Sequence, residues 1–180
     1  MTSPPPLPKL EGLCGKSDCE HGLHNLRTKS RAKTSPIRGN CQSCGAAVVD
    51  WDSTHARDLS QAKSYIEMLR KEWVGNYFWE EPLDPASLAR IGKQPRESMR
   101  DLVRHRIRSS VASAKQFRDG MQTPFEGNII YRAQHATACC CRKCIDLWWG
   151  IPRDQDLQDD QIEFLVSMAM LFIDAKWPTD

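Results

Sequence analysis

The sequence predicts a mostly helical protein with short strands, an α+β fold in which a small N-terminal cysteine-rich module packs on a helical domain. Apolar residues recur every three or four positions over several segments, which is typical of amphipathic helices. The N-terminal third has almost no such period and is rich in cysteine and glycine instead. A chain of 180 residues, 40% of them hydrophobic, is long enough for one main core with a small satellite beside it.

Composition divides the chain into three regions. Residues 1–12 are rich in proline and lack any period, so we expect a disordered tail that cannot bury enough surface to become ordered. Residues 13–52 form the cysteine-rich module, which folds only if something other than an apolar core holds it. Residues 53–180 form the mainly helical domain.

Helices and strands are predicted from periodicity and end signals. Asp84 followed by Pro85 is typical of a helix start, and Gly150 is typical of a helix end. The β-branched and aromatic residues near positions 48 and 130 favour short strands. We therefore predict helices over residues 58–78, 84–92, 95–109, 138–149 and 159–175, and strands over residues 46–51 and 128–134.

The N-terminal module contains a candidate zinc site. Residues 41–45 read Cys-Gln-Ser-Cys-Gly, a turn in which two thiolates point at one metal and the glycine permits the tight backbone that follows. Two further sulfurs lie upstream in a Cys-x4-Cys arrangement, and His21 or His24 can replace one of them. Four such ligands form the closed tetrahedron of a structural zinc. The predicted ligands are Cys14, Cys19, Cys41 and Cys44.

A second cluster lies where the predicted helix over residues 138–149 begins. Positions 140, 141 and 144 converge on one side of a helix start, and His135 at the end of the preceding strand closes the set. Cys139 then points elsewhere. Thiols near a helix N-terminus also have a lowered pKa, so a reactive or redox cysteine and simply packed thiols remain alternatives. The predicted ligands are His135, Cys140, Cys141 and Cys144.

Two zinc ions are preferred over one. A single-site alternative joins Cys41 and Cys44 to Cys141 and Cys144 in one treble-clef-like zinc, and spacing alone permits it. Four cysteines can also hold an iron–sulfur cluster, but mixed His/Cys spacing and the Cys-x2-Cys-Gly turn favour zinc.

Residues 133–152 carry a family resemblance. They read Ala-Gln-His-Ala-Thr-Ala-Cys-Cys-Cys-Arg-Lys-Cys-Ile-Asp-Leu-Trp-Trp-Gly-Ile-Pro, and the resemblance continues over about residues 95–175. This stretch resembles the signature of a bacterial and phage family, domain of unknown function 4186, which reads approximately A-Q-H-A-T-A-T-C-C-R-x-C-L-x-x-W-H-G-I-P. His135, Cys140, Cys141 and Cys144 fall on the family's His and Cys positions, whereas Cys139 replaces a Thr and Trp149 replaces a His. Shorter members lack residues 1–50, which implies that the second cluster forms without the first.

Local charge suggests a partner. Residues 1–49 hold seven Lys/Arg against three acids, residues 90–119 hold nine against three, and residues 145–180 hold two against eight. Basic stretches bind phosphates non-specifically, so nucleic acid is one predicted partner; a protein partner and ordinary solvated helix faces are the alternatives. The candidate residues are Arg27, Arg31, Lys33, Arg38, Arg96, Arg100, Arg104 and Arg108.

The known catalytic templates do not match. The sequence has no H-E-x-x-H, P-loop, G-x-S-x-G or deaminase motif, and no acid lies beside His135 to serve as base. We therefore predict a binding module, with a zinc- or cysteine-dependent hydrolase as the alternative. The start of the sequence lacks a signal peptide and no apolar stretch is long enough for a membrane span, so we expect a cytoplasmic protein whose oligomeric state the sequence does not reveal.

Overall fold

The computed structural model describes residues 13–27, 38–115 and 120–177, and the predicted tail at 1–12 lies outside these ranges. The described residues are mostly helical, which confirms the predicted helical class. Short 3₁₀ turns accompany the helices at Leu13–Gly15, Cys19–His21, Leu59–Gln61 and Arg96–Ser98. The helices are α1 (Trp51–Ala56), α2 (Ala62–Leu69), α3 (Trp73–Glu80), α4 (Pro85–Ile91), α5 (Met99–Val111), α6 (Ile129–Ala136), α7 (Arg142–Trp149) and α8 (Asp159–Lys176).

The C-terminal helix α8 is at the centre of the packing. It lies against α5 and α6, while α3 packs on α6 and α1 packs on α7. Leu165 and Phe172 of α8 are fully buried, and the Phe172 ring meets Trp79 of α3 edge-on with centroids 5.0 Å apart. Among the described residues, none of the helices has both the length and the hydrophobicity of a membrane span.

The predicted helix ends at α4 and α7 are confirmed. The Asp84 carboxylate accepts a hydrogen bond from the Ser87 amide at 2.9 Å, which satisfies one of the free N–H groups at the start of α4. Gly150 ends α7 with a positive φ of 62°, a conformation that glycine adopts without strain.

Both predicted strands are wrong. Residues 46–50 are irregular and lead into α1, and residues 129–136 form α6. The Ile-Ile-Tyr run suggested a strand, but Asn128 caps a helix by accepting a hydrogen bond from the Ile130 amide at 3.0 Å. Buried Ile129, Ile130 and Ala133 follow helical spacing, so tertiary burial outweighs β-propensity here.

The single helix predicted over residues 58–78 is interrupted between α2 and α3. The backbone of His24 pairs with this break, since its N–H donates to the Lys71 carbonyl at 2.8 Å and its C=O accepts from the Trp73 N–H at 2.9 Å. Gly75 permits the sharp return, because a Cβ atom there would overlap the Leu69 carbonyl oxygen. Backbone groups at this break therefore hydrogen-bond to the N-terminal module.

The cap of α6 can be tested by substitution. Asn128→Ala is expected to lower the free energy of unfolding by about 1 kcal/mol, because the Ile130 amide loses its side-chain acceptor. Urea denaturation followed by circular dichroism measures the change. Asn128→Ser keeps a capping oxygen and should retain most of the stability; equal loss in both variants would contradict the cap.

Candidate metal centres and the basic pocket

The first group of metal-binding side chains consists of Cys19, His24, Cys41 and Cys44, whose ligand atoms all lie within 4.8 Å of one another. The Sγ atoms of Cys19 and Cys41 are 3.7 Å apart, and His24 Nδ1 is 3.5 Å from Cys44 Sγ. The Cys-x2-Cys-Gly turn is closed by the Gly45 N–H donating to the Cys41 carbonyl at 2.9 Å. The turn at residues 41–45 and the backbone pairing of His24 with Lys71 and Trp73 therefore bring these four side chains together.

The electrostatics of the first group favour a thiolate at Cys41. Burial opposes its ionisation, but backbone N–H donors from Cys44 and Ser43 outweigh burial and lower the pKa of Cys41 to about 6. Three sulfurs and one imidazole nitrogen are a donor set that suits a closed tetrahedral zinc.

The first group differs from the predicted set by one ligand. The structure brings Cys19, Cys41 and Cys44 together as predicted, but His24 stands in the place expected for Cys14. His24 was the alternative that the sequence offered. The other alternative, His21, is exposed and pairs with the Asp18 carboxylate at 2.8 Å.

The second group consists of Cys140, Cys141 and Cys144. Cys144 Sγ lies 3.4 Å from Cys140 Sγ and 3.2 Å from Cys141 Sγ, and all three residues are buried. Helix α7 begins at Arg142 and not near residue 138 as predicted, so Cys140 lies before the helix and Cys141 is its N-cap residue. The three sulfurs nevertheless converge, as predicted. Hydrogen bonds from Cys140 and Cys144 lower the pKa of Cys141, and a metal would displace their protons.

The structure does not bring His135 into the second group. Its ring stacks on Phe125 and Phe78 with centroids 4.5 and 5.0 Å apart, and its Nε2 lies 3.2 Å from the carbonyls of Thr123 and Pro124. Burial lowers the pKa of His135 to about 4, so the ring is neutral at pH 7 and its Nε2 donates to these carbonyls. Because residues 129–136 are a helix and not a strand, His135 is directed into an aromatic stack.

The two groups are separate, so the geometry offers two metal positions and not the single shared site. Cys139 belongs to neither group. Its thiol donates to the Thr137 carbonyl at 3.2 Å, and the residue is fully buried.

A pocket of about 590 Å³ lies beside the second group. Cys14, Cys141 and Cys144 contribute to its wall. The charged residues that line it are Arg27, Arg38, Lys143, Arg153 and Asp146. We call this cavity the basic pocket, since four of its five charged residues are cationic.

An ion pair between a partly buried arginine and a buried glutamate lies at the basic pocket. Arg27 Nε is 3.6 Å from Glu72 Oε1, and the Trp148 indole donates to Glu72 Oε2 at 3.2 Å. Burial raises the pKa of the Glu72 carboxyl, and the Arg27 guanidinium opposes that rise. The Glu72 carboxylate, at the break before α3, therefore contacts both the N-terminal module and helix α7.

The predicted arginine face of α5 is paired with acids of its own chain. Arg100 reaches Glu163 at 3.1 Å and Arg108 reaches Asp159 at 2.8 Å, both on α8. The remaining pairs are Arg96 with Asp174, and Arg104 with Glu163 and Asp101. Of the other candidates, Arg27 and Arg38 line the basic pocket, whereas Arg31 and Lys33 lie outside the described residues.

The sequence did not reveal that polar residues within 133–152 donate hydrogen bonds to buried carbonyls. Gln134 is fully buried and donates to the Cys139 carbonyl at 3.2 Å, next to the second group. Buried Arg142 donates to the carbonyls of Val111 and Gln155 at 3.2 and 2.8 Å. The Trp149 indole donates to the Thr137 carbonyl at 3.2 Å. These bonds could have been predicted, because polar residues that lie between apolar ones on a buried helix need hydrogen-bond partners.

Comparison with known proteins finds one family. A family model described as Domain of unknown function (DUF4186) matches residues 63–174, more than half of the chain. This match starts well before residue 95, where the resemblance was expected to begin. It includes all three cysteines of the second group, whereas the first group and Cys14 lie outside it. No solved structure matches the chain.

Metal content tests the separation of the two groups. The wild-type chain is expected to carry about two zinc ions, and Cys44→Ser and Cys144→Ser should each lose about one, because each variant removes a sulfur from a different group. Mass spectrometry of the metal in the purified proteins measures this. Cys139→Ser is the control that keeps both ions; a wild type that carries one ion, lost from each of the two folded variants, would favour a shared site.

The buried histidine predicts a pH dependence. The folded-state pKa of His135 lies below its ordinary value of 6.5, so the unfolded chain binds a proton that the folded chain does not between about pH 4 and 6.5. The free energy of unfolding should therefore rise with pH across this window, by up to about 3 kcal/mol from this residue. His135→Phe keeps the ring stack and should flatten the dependence when urea denaturation is compared at each pH; an unchanged slope would contradict the assignment.

Proposed function

Because the chain belongs to the family Domain of unknown function (DUF4186), which brings no established activity with it, we propose a function from its sites. We propose that the protein is a cytoplasmic zinc-stabilised binding module whose basic pocket binds the phosphates of nucleic acid. The observation that carries this proposal is the concentration of four cationic side chains around one cavity beside the second cysteine group.

The zinc part of the proposal rests on donor chemistry. Sulfur with one imidazole nitrogen suits zinc, and the four ligands of the first group leave no open coordination position. A closed site stabilises structure and does not catalyse. The described part of the module has few buried apolar residues, with Leu26 and Val49 as examples, so a metal supplies ordering that its core cannot. Reduced cytosolic thiols would be available for this role.

The ligand part of the proposal rests on charge and size. Lys143 is exposed at the pocket, Arg38 is exposed and pairs with Asp146 at 2.7 Å, and Arg27 lies deeper beside Glu72. The volume of about 590 Å³ falls within the usual range for ligand sites. Arginine and lysine bind phosphate oxygens through charge-assisted hydrogen bonds, and such contacts weaken as salt rises.

The α5 face is a weaker candidate for the same ligand. Each of its four arginines already has a carboxylate partner, so a phosphate would have to displace ion pairs at every arginine of this face, whereas in the basic pocket such pairs involve Arg27 and Arg38. Those exposed pairs are worth little individually, but they also neutralise the field that would attract a polyanion.

A zinc- or cysteine-dependent enzyme of the hydrolase or nuclease kind is the second candidate. The favouring observation is that Cys141 and Cys144 line the pocket, where a substrate would approach the second group directly. His135, expected as its partner, is held in the aromatic stack instead. Cleavage of a labelled oligonucleotide by wild type, lost in Cys144→Ser, would favour this candidate over simple binding.

Oligonucleotide binding tests the proposed function. Lys143→Glu is expected to weaken the binding of a fluorescent single-stranded oligonucleotide by roughly tenfold, about 1.4 kcal/mol, because a phosphate contact becomes a repulsion. Fluorescence anisotropy at several salt concentrations measures the Kd, and the salt slope should fall by about one.

The matched control is Lys93→Glu, which makes the same charge change at an exposed residue that is not part of the basic pocket. The control should bind nearly as wild type does. Equal weakening in both variants, or no binding by wild type at low salt, would refute the pocket as a nucleic-acid site.

A further inference from the structure

One cysteine of the N-terminal segment is left over when the two groups are assembled. The chain has eight cysteines, of which three belong to the first group and three to the second. Cys139 is fully buried and hydrogen-bonded to Thr137 and Leu165. Cys14 remains, and it shares the wall of the basic pocket with Cys141 and Cys144.

We propose that Cys14 is the fourth ligand of a zinc ion held by Cys140, Cys141 and Cys144. Structural zinc takes four ligands in a tetrahedron, and the second group supplies three. With Cys14 added, seven cysteines and His24 make two complete sets, one of four sulfurs and one of three sulfurs and a nitrogen. The proposal rests on the zinc part of the proposed function and does not require the nucleic-acid part.

The position of Cys14 supports this assignment. It lies in the 3₁₀ turn Leu13–Gly15, which packs against α3, and Lys16 follows with its Nζ 5.1 Å from the centre of the Trp73 ring. These contacts hold the turn at the rim of the pocket. The sulfur of Cys14 is not among those that lie within 4.8 Å of one another, so it must come closer to the other three to complete the tetrahedron.

The charge around the second group also fits four thiolates. Zinc with four thiolates carries a net negative charge, which a nearby cation would offset. Arg27 lies in the same pocket wall as Cys14, Cys141 and Cys144, so its guanidinium is a cation near both the second group and Cys14.

The proposal assigns a role to a segment that lies outside the family match. Three ligands come from residues 63–174, and the fourth comes from a turn almost 50 residues before that match begins. The second zinc would then link the N-terminal module to the helical domain by metal bonds, in addition to the backbone pairing at His24.

Cadmium-113 NMR on the full-length protein tests the assignment, because the resonance frequency falls when a sulfur ligand is replaced by nitrogen or oxygen. The cadmium-loaded wild type is expected to show two resonances, the higher from four sulfurs. Cys14→Ser should move the higher resonance to lower frequency and leave the lower one unchanged. Cys139→Ser is the matched control and should leave both unchanged.

A resonance pattern that Cys14→Ser leaves untouched, or a change confined to the lower resonance, would overturn the proposal.

Thiol labelling of the zinc-loaded wild type provides a measurement that needs no variant. Cys14 should be protected from iodoacetamide and become labelled after chelation, and full labelling before chelation would refute its coordination. Failure of oligonucleotide binding alone would leave these results intact, whereas a folded protein that takes up no metal would refute the zinc part itself.

Discussion

The ion pair between Arg27 and Glu72 joins the separate parts of this molecule. Arg27 comes from the N-terminal module, Glu72 comes from the break between α2 and α3, and Trp148 of α7 donates to the same carboxylate. A buried charge without a partner destabilises a fold by several kcal/mol, so the buried Glu72 carboxylate depends on Arg27 and on the Trp148 indole. The pocket, the second cysteine group and the docking of the N-terminal module all lie around this pair.

The polar residues between positions 133 and 152, within the family match, make largely structural contacts. Gln134, Thr137 and Arg142 donate to buried carbonyls, and the Trp149 indole donates to the Thr137 carbonyl. These bonds position the turn at Ala138, whose φ of 53° is unusual for a residue other than glycine. The turn leads directly to the three cysteines, so the polar contacts of the signature place the candidate metal ligands.

Several elements were predictable because their signals are local. The cap at Asp84, the end at Gly150 and the periodicity of α5 and α8 depend on nearby residues, and the structure agrees. The strand prediction over residues 128–134 was wrong because it rested on the β-propensity of the Ile-Ile-Tyr run and ignored the capping Asn128. Packing against α3 and α8 favours the helix. The continuous helix over residues 58–78 failed for a similar reason, since the N-terminal module pairs with the break.

The sequence by itself determined the ligand chemistry of the candidate site, because cysteine spacing in a turn or at a helix start constrains nearby sulfurs directly. The tertiary structure decided how those ligands are divided. It brought His24 to the first group, moved His135 into an aromatic stack, placed Cys14 at the basic pocket and paired the α5 arginines with α8. Each of these outcomes depends on contacts between residues distant in the chain, and sequence spacing does not constrain such contacts.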